Sequence, residues 1–214
     1  MSAGTGADEA HPHHRGTLIL LAGASGSGKS RLAALAGCPR LNLDDFYHDG
    51  DHPDLPRALG IVDWDHPGSW DAATAVAAVV SLCRTGSADV PVYDIGQSRR
   101  TGRHRVQLDE GGVFIAEGVF APEIVGRCRS AGVAMEALYL DRSRSATLVR
   151  RFLRDVHEHR KPLLVLVRRG WALWRDEPRI RERALAQGCR PVSMAAALTA
   201  VRAARRASPA PAPR

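Results

Sequence analysis

An α/β fold, with a mostly parallel sheet and helices on both of its faces, is what this 214-residue chain predicts. Three observations carry the prediction. Short apolar runs ending in glycine or polar residues read as buried parallel strands. They alternate with segments whose apolar residues return every three or four positions, as on one face of a helix. A glycine-rich turn joins the first run to the first such segment. At this length folding buries roughly 70% of the unfolded chain's surface, so one domain can fill its core without disulfides or a structural metal.

The elements follow in order. Residues 1–15 are small, polar and His-rich without periodicity, which predicts a disordered leader. A single domain is expected over 16–206. Thr17–Ala22 is a buried strand and Lys29–Ala36 a helix stopped by Gly37 and Pro39. Arg40–Leu43 is a second short strand, and 44–68, rich in Pro, Gly and Asp, is a long loop of the functional sort. Ser69 is placed to cap a helix reaching about Arg84, with Ala72, Ala75, Val76, Val79 and Leu82 on its apolar face. Val90–Tyr93 reads as a brief strand, and Arg103–Leu108 as a strand forming a small hairpin insert with Ile95–Ser98. Val113–Ala116 is a buried strand, Glu123–Ser130 a helix and Met135–Leu140 a strand. A basic helix is expected over 143–160, then helices over 162–175 and 178–187, the strand Arg190–Ser193 and the helix Met194–Arg205. Residues 207–214 (ASPAPAPR) read as an extended Pro/Ala tail.

Composition narrows the function classes. Hydrophobic residues at 44% and charged residues at 25% exclude wholesale disorder and a collagen-like chain. No apolar run approaches the ~18 residues of a membrane span, and the N-terminus lacks the apolar core of a secretory signal. No membrane association is expected, and a cytoplasmic location is. Cys38, Cys83, Cys128 and Cys189 lie far apart with no CxxC pair, which predicts reduced, packed thiols rather than a zinc site. The net charge is +7, and every cation among the 30 Lys and Arg residues except Lys29 and Lys161 is an arginine. Such a balance suits polyanions, either nucleic acid or nucleotide phosphates.

The segment Gly23-Ala24-Ser25-Gly26-Ser27-Gly28-Lys29-Ser30 fits GxxxxGK[ST], the phosphate-binding P-loop. Its glycines let backbone N–H groups turn inward around phosphates, and the following helix presents its positive end to the same charge. Lys29 would reach the β- and γ-phosphates, and the Ser30 hydroxyl would ligand Mg²⁺. Asp44 and Asp45 stand at the C-terminal end of the second strand, where ligands collect in open α/β sheets. A carboxylate there can take a proton from an incoming hydroxyl or hold Mg²⁺ through water. The apolar strand ending in Glu117-Gly118 has the Walker B arrangement, its carboxylate suited to Mg²⁺. Arg150, Arg151 and Arg154 fall within about one helical turn and read either as a cationic face that closes over phosphates or as a solvated basic helix.

Together with Asp44-Asp-Phe-Tyr47, Asp63-Trp-Asp65-His66-Pro67-Gly-Ser-Trp-Asp71, Pro91-Val-Tyr93-Asp94, Ala116-Glu117-Gly118 and Arg150-Arg-Phe-Leu-Arg-Asp155, these motifs give a chain that resembles the uridine kinase family of P-loop nucleoside kinases over about residues 17–161. The resemblance implies a P-loop kinase fold with a helical lid at about 143–161, ATP or GTP as phosphate donor, and Mg²⁺. It implies Asp44 as the base for the nucleoside 5′-hydroxyl, Asp65 as the carboxylate on the ribose hydroxyls, Tyr93 as the tyrosine beside the base, Ser30 and Glu117 as magnesium ligands, and Arg151 and Arg154 as lid arginines on the triphosphate. Where the family places a base-reading histidine after Tyr-Asp, this chain runs Ile95-Gly96-Gln97, and Gln97 stands nearest that position. The later lid arginines correspond to His159 and Lys161. The leading expectation is 5′-phosphorylation of a nucleoside, uridine or cytidine first. Two alternatives stay open: a kinase of another small hydroxyl acceptor, pantothenate- or sugar-like, and a non-catalytic ATP-binding regulatory protein. A nucleic-acid partner ranks last, and self-association is left open.

Overall fold

The computed structural model describes residues 16–24, 26–58, 60–142 and 178–208. The leader, Ser25, the expected lid helix with Arg151 and Arg154, the helix expected over 162–175 and most of the Pro/Ala tail lie outside them. Five strands form one parallel sheet: β1 (Thr17–Ala22), β2 (Arg40–Asn42), β7 (Val113–Glu117), β8 (Met135–Leu140) and β9 (Arg190–Val192), in the order β2-β7-β1-β8-β9. The remaining strands make two antiparallel pairs, β3 (Arg57–Ala58) with β4 (Ile61–Val62), and β5 (Ser87–Asp94) with β6 (Arg99–Gln107).

The central strands are apolar throughout because both faces of the sheet are covered. Alternate residues of β1 enter opposite cores. Leu18, Leu20 and Ala22 pack with α2 (Ala72–Thr85) and α3 (Val125–Ser130), together with Ala184 of α4 (178–186). Ile19 and Leu21 pack with α1 (Lys29–Ala36) and α5 (Met194–Ala207). This is the α/β architecture expected.

Three local expectations need correction. The cap of α2 is Asp71, not Ser69: the Asp71 carboxylate accepts from the Thr74 N–H at 3.0 Å and from its hydroxyl at 2.7 Å. Ser69 is buried instead in a 3₁₀ turn, where its hydroxyl donates to the carbonyls of Trp64 and His66. The hairpin partner of β6 is Ser87–Asp94, and Ile95–Ser98 is the turn between them. The region 44–68 is less irregular than a plain loop, holding a 3₁₀ turn at Leu43–Phe46, the β3–β4 pair and a second 3₁₀ turn at Pro67–Ser69.

All four cysteines are free thiols. Burial pushes the Cys83 thiol up to about 12, and those of Cys128 and Cys189 to about 11, so these three are inert packing groups at neutral pH.

Candidate active site

The parallel register assembles the site at the C-terminal edge of the sheet. Asn42 of β2 stands level with Glu117 of β7, and Leu21 of β1 stands on its other side. The turn after β1, the turn after β2 and the end of β7 therefore converge.

After β1 the chain turns through Gly26 and Gly28 at φ +85° and +99°, a backbone conformation that a side chain would strain. Gly28 caps α1 without any side-chain acceptor, and the first turn of α1 holds no acidic residue, so the positive end of the helix faces the loop. Lys29 is buried, its ammonium donating to the carbonyls of Gly23 at 2.8 Å and Ala24 at 3.3 Å. The Ser27 hydroxyl is buried with no hydrogen-bond partner among the described residues. A buried polar atom of that kind, in a loop turned by left-handed glycines at an uncapped helix end, fits an anionic group such as a nucleotide phosphate.

Ser30 and Glu117 meet directly. The Ser30 hydroxyl donates to Glu117 Oε1 at 2.8 Å, and Arg40 lies 3.0 Å from the same oxygen. Glu117 is only 3% exposed, and the arginine offsets the burden of burying its charge. A hydroxyl and a carboxylate from two different elements supply hard oxygen donors of the type Mg²⁺ takes, so these residues fit that ion.

Asp44 opens the 3₁₀ turn after β2, with its own N–H donating to the Asn42 side chain at 3.4 Å and its carboxylate accepting from the Val119 N–H at 3.3 Å. Gly118 makes room for it: a Cβ there would lie 2.7 Å from Leu43 Cβ and 3.0 Å from Asp44 Oδ1. Burial raises the Asp44 pKa above the ordinary carboxylate value, opposed by the charge of Lys29 and the Val119 hydrogen bond. The electrostatic influence of both Lys29 and Glu117 on Asp44 puts the three charged groups in one site.

A second cluster adjoins the first. Tyr47 packs on Trp64, Tyr93 and Phe120 with ring centroids 5.7–5.8 Å apart. The Tyr93 N–H donates to Asp45 Oδ1 at 3.3 Å, and its phenol donates to the His48 carbonyl at 3.2 Å. Tyr93 is thus pinned to the strip that carries Asp44. Asp65 follows Trp64 in an exposed turn, its N–H donating to Asp63 Oδ1 at 3.2 Å. Gln97 is exposed in the β5–β6 turn, and its side-chain amide donates to Asp94 Oδ2 at 2.7 Å. The sequence-derived residues Lys29, Ser30, Asp44 and Glu117 therefore come together, Tyr93 joins them through Asp45, and Gln97 is engaged within its own turn.

Two contributors had no signal in the sequence. Arg40 looks like any edge-strand arginine until Glu117 is seen beside it. Arg100 donates to the carbonyls of Tyr47 and Phe46 and to Asp71, while its backbone N–H donates to Asp49 at 2.7 Å. It ties the hairpin, the Asp44 strip and the start of α2 together. Its partners lie 29 to 54 residues away, beyond any local pattern.

No family model matches the chain. Curated relatives do. A uridine kinase of Ureaplasma parvum is 25% identical over 153 residues, spanning 67% of this chain and 71% of that protein. A uridine kinase of Deinococcus deserti is 29% identical over 157 residues, spanning 68% and 72%. This chain is a homologue of the uridine kinases. Its enzyme class is that of an ATP-dependent kinase. A solved structure described as a fructose transport system kinase, from Silicibacter sp. TM1040, covers 96% of the chain with a TM-score of 0.52 at 19% identity, and shows the same fold. Among the described residues of the kinase, no helix is long and apolar enough to cross a membrane.

Proposed function

We propose that this kinase transfers the γ-phosphoryl group of ATP or GTP to the 5′-hydroxyl of a nucleoside, uridine or cytidine first. The observation that carries the reading is the half-buried Asp44 carboxylate beside Lys29 and Glu117, one turn before the Tyr47–Tyr93 aromatic pair. In the proposed step Asp44 takes the 5′-hydroxyl proton, the O5′–phosphorus bond forms as the bond from the γ-phosphorus to the bridging oxygen breaks, and the nucleoside diphosphate, ADP or GDP, leaves. Gly23–Ser30 hold the phosphates, with Lys29 swinging from its loop carbonyls to the β- and γ-oxygens. Ser30 and Glu117 would hold Mg²⁺, which when bound neutralises charge on the phosphates. Asp65 is assigned to the ribose hydroxyls and Tyr93 to the base, while the assignment of Arg151 and Arg154 to the triphosphate rests on the sequence resemblance. This reading makes the chain a cytoplasmic enzyme of pyrimidine salvage.

One observation favours a second reading, phosphorylation of another small hydroxyl acceptor: Gln97, at the place of the family's base-reading histidine, is already bonded to Asp94.

Asp44→Asn tests the proposal. It should leave ATP affinity within a few-fold of wild type while turnover falls by roughly 10²–10⁴. Turnover close to wild type would remove Asp44 from the role of base.

A further inference from the structure

Arg40 reaches the site from the edge of the sheet. It opens β2, the outermost strand on that side, in register with Ile115 of β7, two residues before Glu117. Residues two apart on a strand share a face, so Arg40 and Glu117 stand on one side of the sheet. Arg40 Nη2 lies 3.0 Å from Glu117 Oε1, the oxygen that also accepts the Ser30 hydroxyl proton.

This pair differs in kind from the other ion pairs between described residues. The Glu117 side chain is 4% exposed, against 19–51% for the acids of the others, while that of Arg40 is 43% exposed. A carboxylate so deeply buried needs a cation beside it, whereas an arginine at that exposure can turn out into water at little cost. The dependence runs one way: Glu117 needs a cation, and Arg40 does not need Glu117. Lys29, the other cation of the site, donates to the Gly23 and Ala24 carbonyls and acts electrostatically on Asp44. Arg40 also opposes any second cation on Glu117. A unit positive charge beside the place of a divalent ion weakens its binding by about tenfold even at the dielectric of bulk water.

We infer that Arg40 is the resident counter-cation of the metal site: it balances the buried Glu117 carboxylate while no metal is held and yields to a divalent cation that comes with the nucleotide. Its effect is to keep Mg²⁺ from settling on Ser30 and Glu117 ahead of the phosphates, whose negative charge outweighs the guanidinium. The inference rests on the assignment of Ser30 and Glu117 to Mg²⁺ in the kinase reading above, and adds Arg40 to that site as a positioning residue that acts through Glu117.

Two readouts on the full chain, neither of them turnover, test it. One is affinity for Mn²⁺, which takes the same oxygen donors as Mg²⁺ and is followed by EPR. The other is melting temperature, in chelator and in excess Mg²⁺. Without nucleotide, Arg40→Gln should bind Mn²⁺ about 5- to 20-fold more tightly than wild type, yet melt several degrees lower in chelator. Excess Mg²⁺ should close most of that gap, because the metal replaces the lost cation. Arg40→Lys, which keeps the charge, should stay within about three-fold of wild type in Mn²⁺ affinity. An ion pair of structural value alone would lower the melting temperature without raising metal affinity. If Arg40→Gln does not fold in chelator, its recovery in Mg²⁺ supports the inference and its failure in both overturns it. Mn²⁺ affinity unchanged or weakened in Arg40→Gln overturns the inference and leaves the metal assignment standing. Glu117→Gln is the control on that assignment: with ADP present it should weaken Mn²⁺ binding by roughly tenfold or more, and undiminished binding overturns both.

Discussion

Asp44 holds the conflict between function and stability that a catalytic base implies. Partial burial beside Glu117 disfavours its charge, and its folded pKa is raised despite Lys29 and the Val119 N–H. The sign follows from linkage. A folded carboxyl whose pKa exceeds its unfolded value binds its proton more tightly when folded, so its contribution to stability worsens as pH rises through that interval. Asp44→Asn removes the titration and retains an oxygen to accept from Val119. Its melting temperature should exceed that of wild type at pH 8, with the gap closing as pH falls towards 4, read by calorimetric scans across that range. A variant no more stable than wild type at pH 8 would contradict the electrostatic account. Gly118 belongs to the same economy of space, because any Cβ there would drive into Leu43 and Asp44.

Among the elements, α2 depends most on one side chain. Asp71 caps it through Thr74 and also pairs with Arg100 at 3.3 Å. Burial opposes its charge, yet the hydrogen bonds from Thr74 and Arg100 win and hold its pKa below the ordinary value. Asp71→Ala should lose about 1 kcal/mol or somewhat more, a fall of roughly 2–4 °C per kcal/mol in melting temperature at this chain length. Asp71→Asn, which can still cap, should recover part of it. Equal melting points for Asp71→Ala and wild type would show that the helix is held by packing alone. The same elements show what the sequence makes legible. β1, β7, β8, α1 and α5 were readable because their apolar residues are continuous or helically spaced, as burial on both faces of the sheet requires. β6, RRTGRHRVQ, is exposed almost throughout and shows no apolar period, so its pairing with Ser87–Asp94 had no local signature. Ser69 and Asp71 are both capping residues two positions apart, and a long-range arginine favours Asp71. Lys29, Ser30, Asp44 and Glu117 were legible from motif spacing; Arg40 and Arg100 were not, since each depends on contacts between distant segments.

The molecule as a whole is a parallel sheet sealed by two apolar layers, with the phosphate loop, the Asp44 turn and the end of β7 gathered at one edge and the β5–β6 hairpin braced beside them by Arg100. Homology to uridine kinases supplies the enzyme class, and the edge supplies the arrangement that would carry it out. The most direct test is ADP release by the full chain with Mg·ATP, measured without acceptor and with cytidine, uridine, adenosine, guanosine, ribose or pantothenate, with the phosphorylated product identified by phosphorus NMR. The account predicts stimulation by cytidine and uridine, a 5′-monophosphate product, and loss of that stimulation in Asp44→Asn. A rate unchanged by every nucleoside, or a product phosphorylated elsewhere than the 5′-oxygen, would contradict it.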